Sequence, residues 1–253
     1  MDLRQVFKRY GNVFESFTRK IRSKKNDELT SKADTAFVPD GVYILHETLG
    51  VRTVDGWNSK NNDGVIGILL IEDDHKIVVA LEDAPERLPW SNEYGLINKP
   101  VDEEDAESDF NGEMYCRKLD SPDFPAAYYC KTYNKGNRDW YLPSSGELWL
   151  ICRHLEEVQN ALSIVGGQEF VTEWDFRGRY LPEYWSSTEH CATHTWSLDL
   201  NDGNGILDWG RKVSYRYKVR PVSNFRKKNT LRESFTKKIS SKKNNPDWFL
   251  CFP

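Results

Sequence analysis

The chain has 253 residues, 38% of them hydrophobic and 13% aromatic, and 35 Lys/Arg against 39 Asp/Glu give it a net charge of −4. That is apolar material for one full core or two small ones. No stretch approaches the run of ~18 apolar residues that a membrane helix needs, so no transmembrane segment is expected.

The charge is unevenly placed. Residues 1–25 carry eight Lys/Arg against Asp2 and Glu15, and residues 225–243 carry eight against Glu233. These ends hold +6 and +7, so −17 remains on the rest when the total is −4. An acidic body is a poor match for a phosphate backbone, and no nucleic acid is expected to bind through it. The basic ends are near copies: Glu15-Ser16-Phe17-Thr18-Arg19-Lys20-Ile21-Arg22-Ser23-Lys24-Lys25-Asn26 recurs as Glu233-Ser234-Phe235-Thr236-Lys237-Lys238-Ile239-Ser240-Ser241-Lys242-Lys243-Asn244, ten of twelve positions being identical. Two copies separated by a whole domain cannot stack as a solenoid. Val6, Tyr10, Val13, Phe17 and Ile21 follow helical spacing. The first copy therefore reads as a basic amphipathic segment. It is either a solvated tail resting on the acidic body or a docking peptide for a partner, a membrane surface or nucleic acid; a duplication scar from tandem related genes would explain the copying without assigning a function. Three regions result: a basic segment 1–35, a body 36–224 and a basic tail 225–253.

The five cysteines, Cys116, Cys130, Cys152, Cys191 and Cys251, form no CxxC pair and no zinc-like spacing with the histidines. An odd, scattered set suits free thiols in a reducing compartment; a disulfide framework is the alternative. In the body, Val42-Tyr43-Ile44-Leu45 predicts a first strand. Residues 65–71 and 76–81 predict two buried strands joined by the turn chemistry of Glu72-Asp73-Asp74-His75. The acidic stretch 101–121 reads as a surface loop and 125–133 as a short helix. Ser144 and Glu147 have the spacing of a capping box. From there an apolar stripe, Leu148, Leu150, Ile151, Leu155, Val158 and Leu162, predicts one helix that ends at Gly166-Gly167. Two helices on a mostly antiparallel, loop-rich sheet make an α+β domain.

Toward the carboxyl end, Trp196, Leu198 and Leu200 alternate with Ser197 and Asp199. Period two places the first set on the core face and the second toward solvent. Residues 205–217 then mix Leu207, Trp209, Tyr215 and Tyr217 with Asp208, Arg211 and Arg216, a composition suited to binding surfaces.

The ordered set Trp140-Tyr141-Leu142-Pro143-Ser144-Ser145-Gly146-Glu147-Leu148, Tyr184-Trp185-Ser186-Ser187-Thr188-Glu189, Thr195-Trp196-Ser197-Leu198-Asp199-Leu200-Asn201-Asp202-Gly203 and Lys218-Val219-Arg220-Pro221-Val222 resembles a bacterial family of C-type-lectin-like modules. That family is best known as the C-terminal domain of a collagen-like adhesin, and the resemblance spans residues 41–224. It implies a C-type-lectin-like fold and noncatalytic recognition of a protein or glycan ligand, as in an adhesive or phage receptor-binding protein. Some relatives are variable proteins of diversity-generating retroelements, where a fixed frame holds rewritten positions. By that analogy the ligand-binding positions are His190, Thr193, His194, Ser197, Asp199, Asn204, Ile206, Asp208, Trp209, Arg211, Ser214, Tyr215, Arg216 and Tyr217. The fold name also raises calcium, but Asp199, Asn201 and Asp202 fall short of the six or more oxygens such a site takes. No metal and no cofactor is expected. His190 and His194 flank Cys191, yet their spacing on a strand or loop does not suit a designed Cys–His pair, and no catalytic residue is assigned. An intracellular scaffold that recruits a partner through the basic tails is the alternative function. The opening Met1-Asp2-Leu3-Arg4-Gln5-Val6-Phe7-Lys8 lacks the apolar core of a secretory signal, so a cytoplasmic or virion location is expected ahead of secretion.

Overall fold

The computed structural model describes residues 38–172 and 182–225; the basic segment 1–35 and, apart from Phe225, the basic tail 225–253 lie outside the described residues. The two apolar runs of the early body pair as a hairpin. β3 (Val65–Glu72) and β4 (His75–Val79) are antiparallel, with Glu72 opposite His75. Asp73, at φ 53°, takes the left-handed conformation that the tight turn requires. β1 (Gly41–His46) lies along the other edge of β3, with β2 (Gly50–Thr53) outside it, and the late strand β8 (Val222–Asn224) closes the far side. The order of this antiparallel sheet is β2-β1-β3-β4-β8.

β3 is apolar at nearly every position because both of its faces are covered. Ile68 and Leu70 pack with Leu148, Ile151, Val158 and Leu162 of the helices on one side. Leu69 and Ile71 pack with Val78 and Trp140 on the other. The helices are α1 (Glu103–Ala106), α2 (Gly112–Cys116), α3 (Pro125–Thr132), α4 (Ser145–Arg153) and α5 (Leu155–Val165). α4 begins at the expected capping box, where the Ser144 amide donates to Glu147 Oε2 at 2.8 Å. α5 ends at Gly166, whose φ of 73° is a left-handed C-cap.

Three expectations are corrected. The stripe from Ser145 to Val165 is two helices rather than one: the chain breaks at His154 (φ −110°, ψ 24°), whose Nε2 meets Glu72 Oε2 at 2.6 Å beside an Arg153–Glu72 ion pair of 2.5 Å. Both side chains at the break are thus held by a carboxylate at the end of β3. Stretch 101–121 is more than a surface loop, for it holds α1 and α2 and buries Ala106, Asp109, Tyr115 and Leu119. Asp109 turns inward to accept from Thr188 Oγ1 and Asn111 Nδ2, each at 2.7 Å. The count of two helices is thereby exceeded. The chain is α+β with antiparallel sheets, and no helix of the described residues is long and apolar enough to cross a membrane.

The second sheet, order β5-β6-β7, is formed by β5 (Glu183–Glu189), β6 (His194–Asp199) and β7 (Ile206–Arg211). Residues 218–222 tie it to the first. Trp185 donates its amide to Lys218 O at 3.0 Å, and Tyr141 pairs with Val222. Buried Arg220 bonds Asp83 Oδ1 at 2.6 Å and the Ala80 carbonyl at 3.0 Å, while Tyr184 O–H donates to Asp83 Oδ2 at 3.1 Å. A buried guanidinium is tolerated only when its donors are met in this way. The motif around Arg220 is therefore scaffold.

Candidate functional site

β5 and β6 are joined by a four-residue tip, His190 to Thr193, that projects past the sheet. The amides of His190 and Cys191 both donate to His194 O, at 3.2 and 3.0 Å. β7 runs beside β6 with His194 opposite Arg211, Trp196 opposite Trp209 and Ser197 opposite Asp208. The Lys212 amide continues the ladder to Thr193 O at 3.1 Å. Its outer edge is partly capped from within: Trp209 N donates to Asp208 Oδ1 at 2.7 Å and Tyr215 N to Arg211 O at 3.1 Å. Such capping disfavours edge-to-edge pairing.

The pleat sorts the side chains. His194, Trp196, Trp209 and Arg211 share one face. Trp209 is 47% exposed and is held by two imidazoles. His190 stacks on it at 5.7 Å and 17°, and His194 meets it edge-on at 4.6 Å and 82°. His190 also abuts Trp196, which is buried and donates Nε1–H to Val101 O at 2.8 Å. Gly210 is glycine for a spatial reason, since a Cβ there would collide with the rings of Trp185 and Tyr217.

Beneath the tip lies a buried ion pair. Glu189 and Lys212, both with fully buried side chains, are bonded to each other. The Glu189 carboxylate also accepts from the amides of Ile97 (3.1 Å) and Asn98. Lys212 Nζ donates to Gly95 O at 2.7 Å and sits 4.7 Å from the Trp90 ring centroid. Burial pulls the Lys212 ammonium below its ordinary value, and Glu189 offsets this only in part. The pair fastens the loop of residues 91–98 to the hairpin. Gly95 N reaches Ala192 O at 2.8 Å, which brings the exposed side chains of Tyr94 and Leu96 to the same end of the molecule.

Of the positions expected to bind ligand, His190, Thr193, His194, Trp209 and Arg211 are gathered at this tip, at least partly exposed. Ser214, Tyr215 and Arg216 are exposed on the turn that follows Arg211. Asn204 and Ile206 lie at the opposite end of β7, and Ile206 and Asp208 occupy the other face of the sheet from Trp209. Ser197, Asp199 and Tyr217 are corrections, because all three are buried. β6 is the middle strand and has no solvent face, so alternation there separates two interiors. Ser197 Oγ donates to Glu183 Oε2 at 3.0 Å, and Asp199 Oδ1 accepts from Asn201 N at 2.9 Å. Burial raises the carboxyls of Glu183 and Asp199 above their ordinary values. Tyr217 packs 4.2 Å from Trp185 and bridges Leu88.

Sequence reasoning missed Tyr94 and Leu96, which meet the tip from about 100 residues away, and the Glu189–Lys212 pair, whose partners lie 23 residues apart and carry no spacing signal. It also set aside the Cys191–histidine contact that the hairpin makes: Cys191 Sγ lies 3.5 Å from His194 Nδ1 and 3.4 Å from Thr193 Oγ1. Among the described residues, no three His, Cys, Asp or Glu side chains converge as metal ligands do. The face offers aromatic area and imidazole and guanidinium donors, groups able to make apolar, stacking and hydrogen-bond contacts.

No family model matches the chain, and no curated protein does. Among solved structures, the chain is similar to a fimbrial protein from Bacteroides ovatus, with a TM-score of 0.53 and 18% identity over 74% of this chain. The match spans about half of that protein, 49% of its length. At that identity the likeness concerns fold alone.

Proposed function

We propose that the body is a noncatalytic recognition module of C-type-lectin-like fold that binds a protein or glycan ligand through the tip of its second sheet. The observation that carries this reading is Trp209. A tryptophan left 47% exposed on a strand, clasped by His190 and His194 and mounted over a buried ion pair, is costly to expose and rigid in place. Rigid aromatic anchors flanked by Arg are where binding energy concentrates. The solved neighbour is described as a fimbrial protein, and an adhesive setting for this body is part of the proposal. The resemblance to retroelement-diversified proteins fits the same face, where Thr193, His194, Trp209, Arg211, Tyr215 and Arg216 are at least partly exposed.

The test is a screen of the full chain against glycan and cell-surface protein arrays, repeated with Trp209→Ala. A hot-spot anchor carries about 2 kcal/mol or more, so the variant should lose roughly 30-fold or more in affinity. Binding that survives Trp209→Ala and Arg211→Ala unchanged would place the ligand elsewhere.

A further inference from the structure

The tip holds chemistry that ligand contact does not use. Within five residues, His190 to His194, the β5–β6 turn and the first residue of β6 assemble a thiol, a hydroxyl and two imidazoles. Cys191 Sγ is 3.4 Å from Thr193 Oγ1 and 3.5 Å from His194 Nδ1, and Thr193 Oγ1 is itself 2.9 Å from His194 Nδ1. His190 Nδ1 is removed from solvent and has no hydrogen-bond partner at normal distance among the described residues. The Lys212 ammonium lies beneath the same turn and responds to the charge on Cys191. Cys191 itself is partly exposed on a projecting hairpin.

We propose that Cys191 is a modification site that forms a mixed disulfide with a low-molecular-weight disulfide. The Cys191 thiolate attacks one sulfur of the small disulfide, and a new S–S bond forms as the old one breaks. The electron pair leaves on the departing sulfur, and that thiolate takes up the proton that Cys191 gave up. One disulfide and one thiol enter, and one of each leaves. His194 and His190 are placed to hold the charged sulfur and to supply the proton. An adduct at the tip stands beside Trp209 and Arg211, so modification blocks the recognition face. That consequence rests on the proposed function; the thiol chemistry does not.

The other described cysteines are internal controls. Burial pushes the Cys116 thiol up to about 12, Cys152 up to about 11 and Cys130 well above its ordinary value. At Cys191 burial also pushes upward, but the Thr193 hydroxyl and amide and the two histidines outweigh it and hold the thiol down to about 5. At pH 6 such a thiol is ~90% ionised, against ~0.1% at an ordinary value near 9, a gain of about 10³. Lower basicity costs roughly 60-fold in intrinsic nucleophilicity over that span, so the net gain is about tenfold. The balance reverses above about pH 7, where an ordinary thiol becomes increasingly ionised and is the better nucleophile.

The test is reaction of the full chain with oxidised glutathione from pH 4 to 9, read cysteine by cysteine by peptide mass spectrometry, native and in urea. Native Cys191 should react about tenfold faster than unfolded Cys191 at pH 6 and more slowly at pH 8, while Cys116, Cys130 and Cys152 react only in urea. The midpoint of its pH profile should lie near 5, and Thr193→Val and His194→Gln should each raise it. A native rate at pH 6 no faster than in urea, a midpoint between 8 and 9, or a midpoint unmoved by both variants would overturn the proposal. Because the readout is adduct mass, it stands or falls separately from ligand binding.

Discussion

Lys212→Met severs the mount beneath the recognition face. It removes the cation paired with Glu189 and leaves a fully buried carboxylate held only by the amides of Ile97 and Asn98. Breaking a buried pair by deleting one partner costs about 3–5 kcal/mol. For a body of this size, 1 kcal/mol moves the melting temperature by about 2–4 °C, so a fall on the order of 10 °C is expected. Glu189→Gln leaves the Lys212 ammonium buried with Gly95 O and the Trp90 ring as company, and costs a similar amount. The informative variant is the double one. With both charges gone, the Gln oxygen still accepts from a loop amide, and the loss should be smaller than the sum of the single losses by about 2–3 kcal/mol. Urea melts followed by tryptophan fluorescence measure all three. Losses that add within about 0.5 kcal/mol would show that Glu189 and Lys212 act independently and that the mount is not an ion pair.

Other predictions follow from the same geometry. Trp196→Ala removes a buried ring and should cost about 3–5 kcal/mol, whereas Tyr215→Ala, at an exposed position, should stay within about 0.5 kcal/mol in the same melts. Burial raises the Glu147 carboxyl from 4.5 to about 7, against hydrogen bonds from Tyr141 and Ser144 that lower it. A folded value above the unfolded one means stability is present below about pH 4.5 and is lost as pH rises to about 7, by about 2–3 kcal/mol. Glu147→Gln should flatten melts across that window, and an unchanged slope would refute the assignment. Natural variants of the coding region should vary at Thr193, His194, Trp209, Arg211, Tyr215 and Arg216 and leave Ser197, Asp199 and Tyr217 fixed. Population sequencing that finds the buried three changing as freely as the other six would contradict the burial pattern.

What was legible in the sequence is what is set by neighbours along the chain. The β3–β4 hairpin follows from two apolar runs around Asp73-Asp74, and the start of α4 and the end of α5 follow from Ser144, Glu147 and Gly166. What was not legible is set across the chain. Ser197 and Asp199 look solvent-facing until β5 and β7 enclose β6, and Asp109 looks like a loop acid until Thr188 donates to it from 79 residues away. At the break, His154 is met by Glu72, 82 residues distant. The site divides in the same way. Its aromatic and basic composition at residues 190–216 is visible in sequence. Its floor of Glu189, Lys212 and Gly95, and the flanking Tyr94 and Leu96, are assembled only by the fold. The Cys191–His194 contact was dismissed from spacing alone, because a four-residue turn brings together side chains that an extended strand would hold apart.

The most direct measurement of the central claim is hydrogen exchange of the full chain with and without a ligand recovered from the arrays. The account predicts slowed exchange confined to residues 190–194, 209–216 and 94–96, with the first sheet unchanged. Protection centred instead on residues 201–206 or on β2 would contradict recognition through the hairpin tip.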